Sequence, residues 1–379
     1  METITVLEAL ARVSMATDGT FPKIECIAMK GRCIDFQGAK KLASALERGA
    51  FPQLKCINLD GGGIEVEGAK ALAVALERGS FQELECVDFR FNKIGQEGAI
   101  ALAAALERGQ FPKLQRIELQ QNCIRSDGAR ALAHALEHGS FARLEFIDLR
   151  NNRIGSDGAK ALAAALERGS LPQLACIDLG NNEVGDEGAE AIAAALEHGT
   201  FSALKRIELR NNGIGEHGAK AIAGALQRGS LQALVQFNID WNRIGDEGTK
   251  ALASALEHGA FPRLIWVGLY ACDIREEGGR ALLATLRRAE LPMLEHANLH
   301  GNHIPNGVLR HASNAVTAIR RRKRMLLFLG AENVRCESVA KRFLARDGDR
   351  AVVCRIWSFM LSRQGDGAAT LATQRFWLP

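Results

Sequence analysis

Tyrosine occurs once in 379 residues and tryptophan four times, so each large polar aromatic stands out by its position. No apolar run near the start is long enough for a signal peptide or a membrane span, and a membrane partner is not expected. The nine cysteines are odd in number and form no C-x-x-C pair. That argues against a disulfide framework or a zinc site and makes a reducing cytoplasm the default. No nucleophile stands beside a base, and neither a phosphate loop nor a metal-ligand spacing occurs. An enzyme, a cofactor and a bound metal are therefore not expected. A basic stripe is also missing: residues 1–319 carry 35 Lys/Arg against 39 Asp/Glu, while residues 320–379 carry 13 against 5. The long acidic part argues against a nucleic-acid groove.

What the chain does have is a period. F-A-R-L-E-F-I-D-L-R-N-N-R-I-G-S-D-G-A-K-A-L-A-A-A-L-E-R-G-S, residues 141–170, recurs with unchanged spacing from Phe21, Phe51, Phe81, Phe111, Leu171, Phe201, Leu231, Phe261 and Leu291. Ten copies of a 30-residue unit cover residues 21–320, which signals a solenoid rather than two or three separate cores. Within one unit, Ile147 and Leu149 are two apart, so a short strand points both inward. Asn152 follows, where its amide can bond turn backbone that the stack must bury; Arg32, Gly62 and Cys272 break this asparagine row, predicting looser turns there. Ala159, Leu162, Ala163 and Leu166 then mark one face of a helix. Ser156 or Asp157 is expected to cap its start, and Gly169 to end it in a left-handed conformation.

The spacing L-x-x-L-x-L-x-x-N-x-I, from Leu144 to Ile154, resembles the leucine-rich repeat, and the full helix per unit resembles its ribonuclease-inhibitor-like class. The resemblance implies an α/β horseshoe: a parallel inner sheet, outer helices and a helical C-terminal cap. Helices spaced about 10 Å apart outside strands about 4.8 Å apart force the curvature. The class includes repeat regions of innate immune sensors and Ran GTPase-activating proteins. Gly158-Ala159-Lys160-Ala161-Leu162-Ala163 also resembles bacterial GALA effectors, but the stretch before the repeats is too short for their F-box.

Function should reside in strand positions that point away from the core. Asp88, Glu118, Asp148, Asp178 and Glu208 form one such row through five successive repeats. Arg90, Arg150 and Arg210 lie two positions along, and Arg116 and Arg206 on the other side. These rows read either as a self-neutralising lattice on a solvated face or as a docking surface for a partner with basic groups. Trp241, Trp266 and Tyr270 cluster on or just after the strands of repeats eight and nine, with Phe91 and Phe146 in similar positions earlier. Exposed aromatics of this kind anchor protein interfaces. Cys26, Cys56 and Cys86 share one strand position and read as small half-buried fillers. His134, His138, His198, His217 and His258 lie on or beside the outer helices and are read as forming no ligand pair.

Residues 1–20 are expected to be an N-terminal helical cap, and the helix of repeat ten to continue through the basic run Arg320–Arg324, which also offers a nuclear localisation signal. Helices at 338–345 and 350–361 would make residues 321–363 either a C-terminal cap or a docking module for a second protein partner, with 364–379 a mobile tail. The expected function is a non-enzymatic recognition scaffold that binds a partner protein on its concave face. The alternatives are a small-GTPase regulator of the Ran GTPase-activating type and a ubiquitin-ligase adaptor recruiting through residues 321–363.

Overall fold

The structure, a computed structural model, describes residues 3–331 except 16–19, 22, 30–32, 200, 230, 260 and 289–290. The expected helices at 338–345 and 350–361, the tail, and Arg32 lie outside these residues. Two compact units divide the chain, Met1–Thr317 and Ala318–Pro379.

The first unit follows the period of the sequence. After β1 (Thr3–Thr5) and α1 (Val6–Met15), ten strands appear thirty residues apart: β2 (Cys26–Ala28), β3 (Cys56–Asn58), β4 (Cys86–Asp88), β5 (Arg116–Glu118), β6 (Phe146–Asp148), β7 (Cys176–Asp178), β8 (Arg206–Glu208), β9 (Gln236–Asn238), β10 (Trp266–Gly268) and β11 (His296–Asn298). Each is followed by a helix: α2 (Asp35–Glu47), α3 (Glu65–Arg78), α4 (Gly95–Arg108), α5 (Arg125–His138), α6 (Gly155–Arg168), α7 (Gly185–His198), α8 (Glu216–Arg228), α9 (Gly245–His258), α10 (Glu276–Arg288) and α11 (Asn306–Ala331). All eleven strands form one parallel sheet in sequence order, the α/β solenoid that the leucine-rich-repeat resemblance implies.

The N-terminal segment differs from the expected helix alone. Thr3–Thr5 adds an edge strand that pairs with β2, burying Ile4 against the sheet. Thr5 and Glu8 then close a reciprocal cap: the Glu8 N–H donates to Thr5 Oγ1 at 3.1 Å, and the Thr5 N–H donates to Glu8 Oε2 at 2.7 Å. The two β-branched threonines favour the strand, and this cap starts the helix at once. At the other end α11 runs past Ile319 through the basic run to Ala331, with no glycine stop before Gly330.

Between sheet and helices each repeat buries the same set. In the middle repeat Leu144, Ile147, Leu149, Ile154, Leu162 and Leu166 are all buried. Asn152 holds the turn: its Nδ2 donates to Leu119 O and Leu149 O, each at 2.9 Å, and its Oδ1 accepts the Asn122 N–H at 2.8 Å. Asn92, Asn122, Asn182, Asn212 and Asn242 also donate to the preceding repeat's backbone, so each turn is bonded to its neighbour. The two described breaks keep the register rather than loosening. The Cys272 thiol lies 3.3 Å from Ile239 O, where an asparagine amide would donate, and Gly61 N–H still donates to Arg90 O at 2.9 Å.

Both expected helix ends are corrected. Ile154 is the N-cap of α6, and neither Ser156 nor Asp157 makes a side-chain cap; the Gly155 N–H is instead taken by Asn182 O of the next repeat at 2.8 Å. Gly139 is extended, with φ −78° and ψ 167°, not left-handed. Its glycine is required by packing: a Cβ there would lie 2.5 Å from the ring of Phe141 and 2.7 Å from Ala135 O. Among the described glycine stops only Gly49, in the first repeat, ends its helix as expected, with φ +72°.

Candidate functional site

Every strand pairs with the next without offset, for example Phe146↔Cys176 and Asp148↔Asp178. Equivalent positions of successive repeats therefore stand side by side as rows across the sheet, about 4.8 Å apart.

The row of carboxylates is in register but not solvated. Asp88, Glu118, Asp148, Asp178 and Glu208 are all buried, and Asp148 is 0% exposed. Two local bonds pull them down. First, the aspartates lock the end of their own strand, because Oδ1 of Asp148 accepts the Arg150 N–H at 3.0 Å and Oδ1 of Asp178 the Gly180 N–H at 3.0 Å. Asn58 and Asn238 do the same in repeats without a carboxylate. Second, an arginine of the same repeat grips three of the acids, Asp88, Glu118 and Asp148, whereas Glu208 accepts from Gln236 Nε2 at 2.7 Å. Arg90 grips Asp88 with Nε at 2.9 Å and Nη2 at 2.7 Å, and Arg150 grips Asp148 in the same manner at 3.0 and 2.6 Å. Both reach onward, Arg90 to Glu118 at 3.4 Å and Arg150 to Asp178 at 3.2 Å. The face is thus layered, with carboxylates beneath and guanidiniums above.

Gly180 interrupts the arginine row. A Cβ on it would lie 3.0 Å from Arg210 Cγ and 3.6 Å from Arg150 Cγ, so both stems close over the glycine. Asp178 beneath has no arginine of its own repeat, and burial pushes its carboxyl up to about 7 despite Arg150. Burial likewise raises Glu208 and Asp240. The clamps are raised too, for a different reason: hydrogen bonds to Asp88 and Asp148 hold the protons of Arg90 and Arg150 more tightly than usual. Arg206 and Arg210 project from the two ends of β8 and are exposed.

The aromatics divide into occupied and available rings. Phe146 is half-buried beneath two guanidiniums, Arg116 at 4.4 Å and Arg206 at 5.5 Å from its centroid. Trp266 is half-buried, its ring lying across Gly268, where a Cβ would meet it at 2.2 Å. Trp241 is 55% exposed and Phe91 42%. The Trp241 ring packs against half-buried Tyr270 with centroids 5.1 Å apart. Trp241 and Tyr270 are thus brought together, whereas Phe91 stands five repeats away.

Sequence reasoning found these residues but missed their backbone. Phe91 and Trp241 both have positive φ, +57° and +59°, in a row otherwise made of Gly61, Gln121, Asn151, Asn181, Asn211, Ala271 and Gly301. Geometry imposes the left-handed state, since the N–H at this position donates to the next repeat, as from Trp241 to Tyr270 O at 2.7 Å. Glycine and asparagine tolerate it; a bulky aromatic adopts it at a cost. The signal was legible as two aromatics interrupting an amide and glycine row.

The three thiols at the start of the sheet are in register, Cys26↔Cys56↔Cys86. Hydrogen bonding from Cys56 draws Cys26 down to about 7, and the same contact pushes Cys56 far up. Among the described residues no group of three or more His, Cys, Asp or Glu is arranged to hold a metal ion. On the outer surface the rings of His134 and His138 stack with centroids 4.2 Å apart. Among the described residues no helix is long and apolar enough to cross a membrane.

Comparison with curated proteins finds no match. Among solved structures, the chain is similar to actin-binding site 2 of leiomodin-1, with 20% identity over 46% of this chain and 97% of that one and a TM-score of 0.35. It is also similar to the leucine-rich repeat-containing protein LegL7 of Legionella pneumophila, with 14% identity over 83% of this chain and 98% of that one and a TM-score of 0.45. At those scores neither bears on a ligand. The leucine-rich repeat family matches at residues 82–103, 112–133, 144–163, 174–193, 203–223 and 231–253, six successive turns of the stack just described. With its period, its asparagine-bonded turns and its single parallel sheet, this chain is a leucine-rich repeat protein.

Proposed function

We propose that the chain is a non-enzymatic scaffold that recognises a partner protein on the inner face of its sheet, with Trp241 and Tyr270 at the centre of the contact and Trp266 beside them. The observation that carries this reading is Trp241 itself. It holds a left-handed backbone that costs about 1–3 kcal/mol in a bulky residue, and it leaves more than half of its side chain in solvent. Folding gains little from a tryptophan there, so binding is the better account of it. Phe91 repeats the combination and marks the far end of the surface.

The partner's chemistry follows from the layering. Arg206 and Arg210 are exposed next to this patch, and the acids beneath them are covered. An acidic segment with an apolar or aromatic residue fits such a surface, since arginine and tryptophan together dominate interface energetics. The GTPase-regulator and ligase-adaptor readings gain no observation from the described residues.

The test is affinity purification from extract of the source cell, using the intact chain and the Trp241→Ala/Trp266→Ala/Tyr270→Ala variant. A protein partner retained by the first and lost from the second is expected. An identical set of partners from both would overturn the assignment of this face.

A further inference from the structure

The outer surface of α5 carries an arrangement that the sheet face does not use. His134 and His138 stand one helical turn apart, both exposed, with ring planes within 25° of parallel. The Nδ1 of His134 lies 3.1 Å from Oε2 of Glu107 on α4. The Nδ1 of His138 lies 2.9 Å from the main-chain oxygen of His134. An ionised carboxylate and a carbonyl only accept hydrogen bonds, so in each neutral ring the proton sits on Nδ1. Each Nε2 is then a bare lone pair. Two imidazoles at i and i+4, each with its other nitrogen donating to a carboxylate or a carbonyl, have the ligand spacing and the outer support of a metal-binding pair.

We propose that His134 and His138 together bind one late first-row divalent cation through their two Nε2 atoms, with water completing the coordination. Imidazole suits Ni(II), Cu(II) and Zn(II), whereas Mg(II) and Ca(II) take oxygen ligands. Two protein ligands rather than three make the site open and exchangeable, in keeping with the lack of any three-ligand group among the described residues. Exposure leaves both rings room to converge on one ion. The equivalent helix ends of α7 and α9 carry His198 and His258, but Ala194 and Ser254 stand four residues earlier. They supply an internal comparison in which a single imidazole lacks its partner. Glu107 acts as a positioning residue, fixing the tautomer and the orientation of His134.

The site is tested by titrating the full-length protein with NiCl2 in a calorimeter. Ultraviolet absorption is followed in parallel, because nickel bound to a cysteine thiolate adds a charge-transfer band and nickel on imidazole does not. Wild type should bind one more equivalent of Ni(II) than His134→Ala/His138→Ala. Either single variant should weaken that equivalent at least tenfold, and Glu107→Gln by about tenfold with unchanged thermal stability. His258→Ala should change nothing. Equal stoichiometry in wild type and double variant, including zero in both, overturns the proposal, as does loss of the equivalent in His258→Ala.

Discussion

The Trp241 ring rests on Tyr270 at 5.1 Å between centroids and 53° between planes, while the Trp241 backbone has φ +59°. Asn151, Asn181 and Asn211 occupy the same position in earlier repeats with the same sign of φ. Replacing Trp241 with Asn therefore relieves strain of about 1–3 kcal/mol and forfeits an aromatic pair worth about 0.5–1.5 kcal/mol. The expected result is a thermal midpoint equal to or above wild type, together with at least tenfold loss of the protein partner in a quantitative pull-down. A variant that is destabilised and still binds normally would make Trp241 a structural residue.

Asn152 is predicted to be among the costliest single positions in the chain. Its amide serves Leu119 O, Leu149 O and the Asn122 N–H, all buried. Asn152→Ala strips the Asn122 N–H of its acceptor and removes one of two amide donors from each carbonyl, since Leu119 O keeps the Asn122 amide and Leu149 O the Asn182 amide, so a loss of about 1–3 kcal/mol is expected in urea denaturation. A loss below 1 kcal/mol would mean that the asparagine row is dispensable.

These two positions show what was legible in the sequence. Ile147, Leu149 and Asn152 gave strand, turn and stacking because a 30-residue repeat makes each unit see the same neighbours, so local pattern and tertiary contact coincide. The carboxylate row was legible as a row but not as a buried one. Whether Asp148 faces water depends on Arg150, two residues on, folding back over it, and the conformer of a long side chain is not set by the strand's two-residue alternation. Gly139 was recognised as a stop but for the wrong reason: the ring of Phe141, not a left-handed backbone, excludes a side chain there. His134 and His138 were visible at i and i+4, but Glu107, which orients one of them, comes from the previous repeat.

The glycines at the helix ends separate into two kinds that a substitution distinguishes. Gly49 has φ +72° with open space around it, so Gly49→Asn, which tolerates that backbone, should cost less than about 1 kcal/mol. Gly139→Asn forces a Cβ to within 2.5 Å of Phe141 and 2.7 Å of Ala135 O. Overpacking of this kind costs typically 1–3 kcal/mol, so thermal melts should rank the two variants clearly. Equal midpoints would sink the packing account of Gly139.

Asp178 predicts the direction in which stability moves with pH. Burial raises its carboxyl to about 7 in the folded chain, against an ordinary value near 3.8 when unfolded. Between those values the folded state holds a proton that the unfolded state has released. Stability is therefore highest below the unfolded value and falls as pH rises to about 7, with no further loss from this group above that. Glu208 and Asp240, both raised by burial, add to the same trend. Asp178→Asn keeps an oxygen for the Gly180 N–H, removes the buried charge, and leaves Arg150 its grip on Asp148. At pH 8 the variant should exceed wild type in urea denaturation by on the order of 1–3 kcal/mol, and by pH 5 most of that margin should be gone. A margin that stays constant from pH 5 to pH 8 would show that Asp178 is ionised throughout, and Arg150 would then outweigh burial on this face.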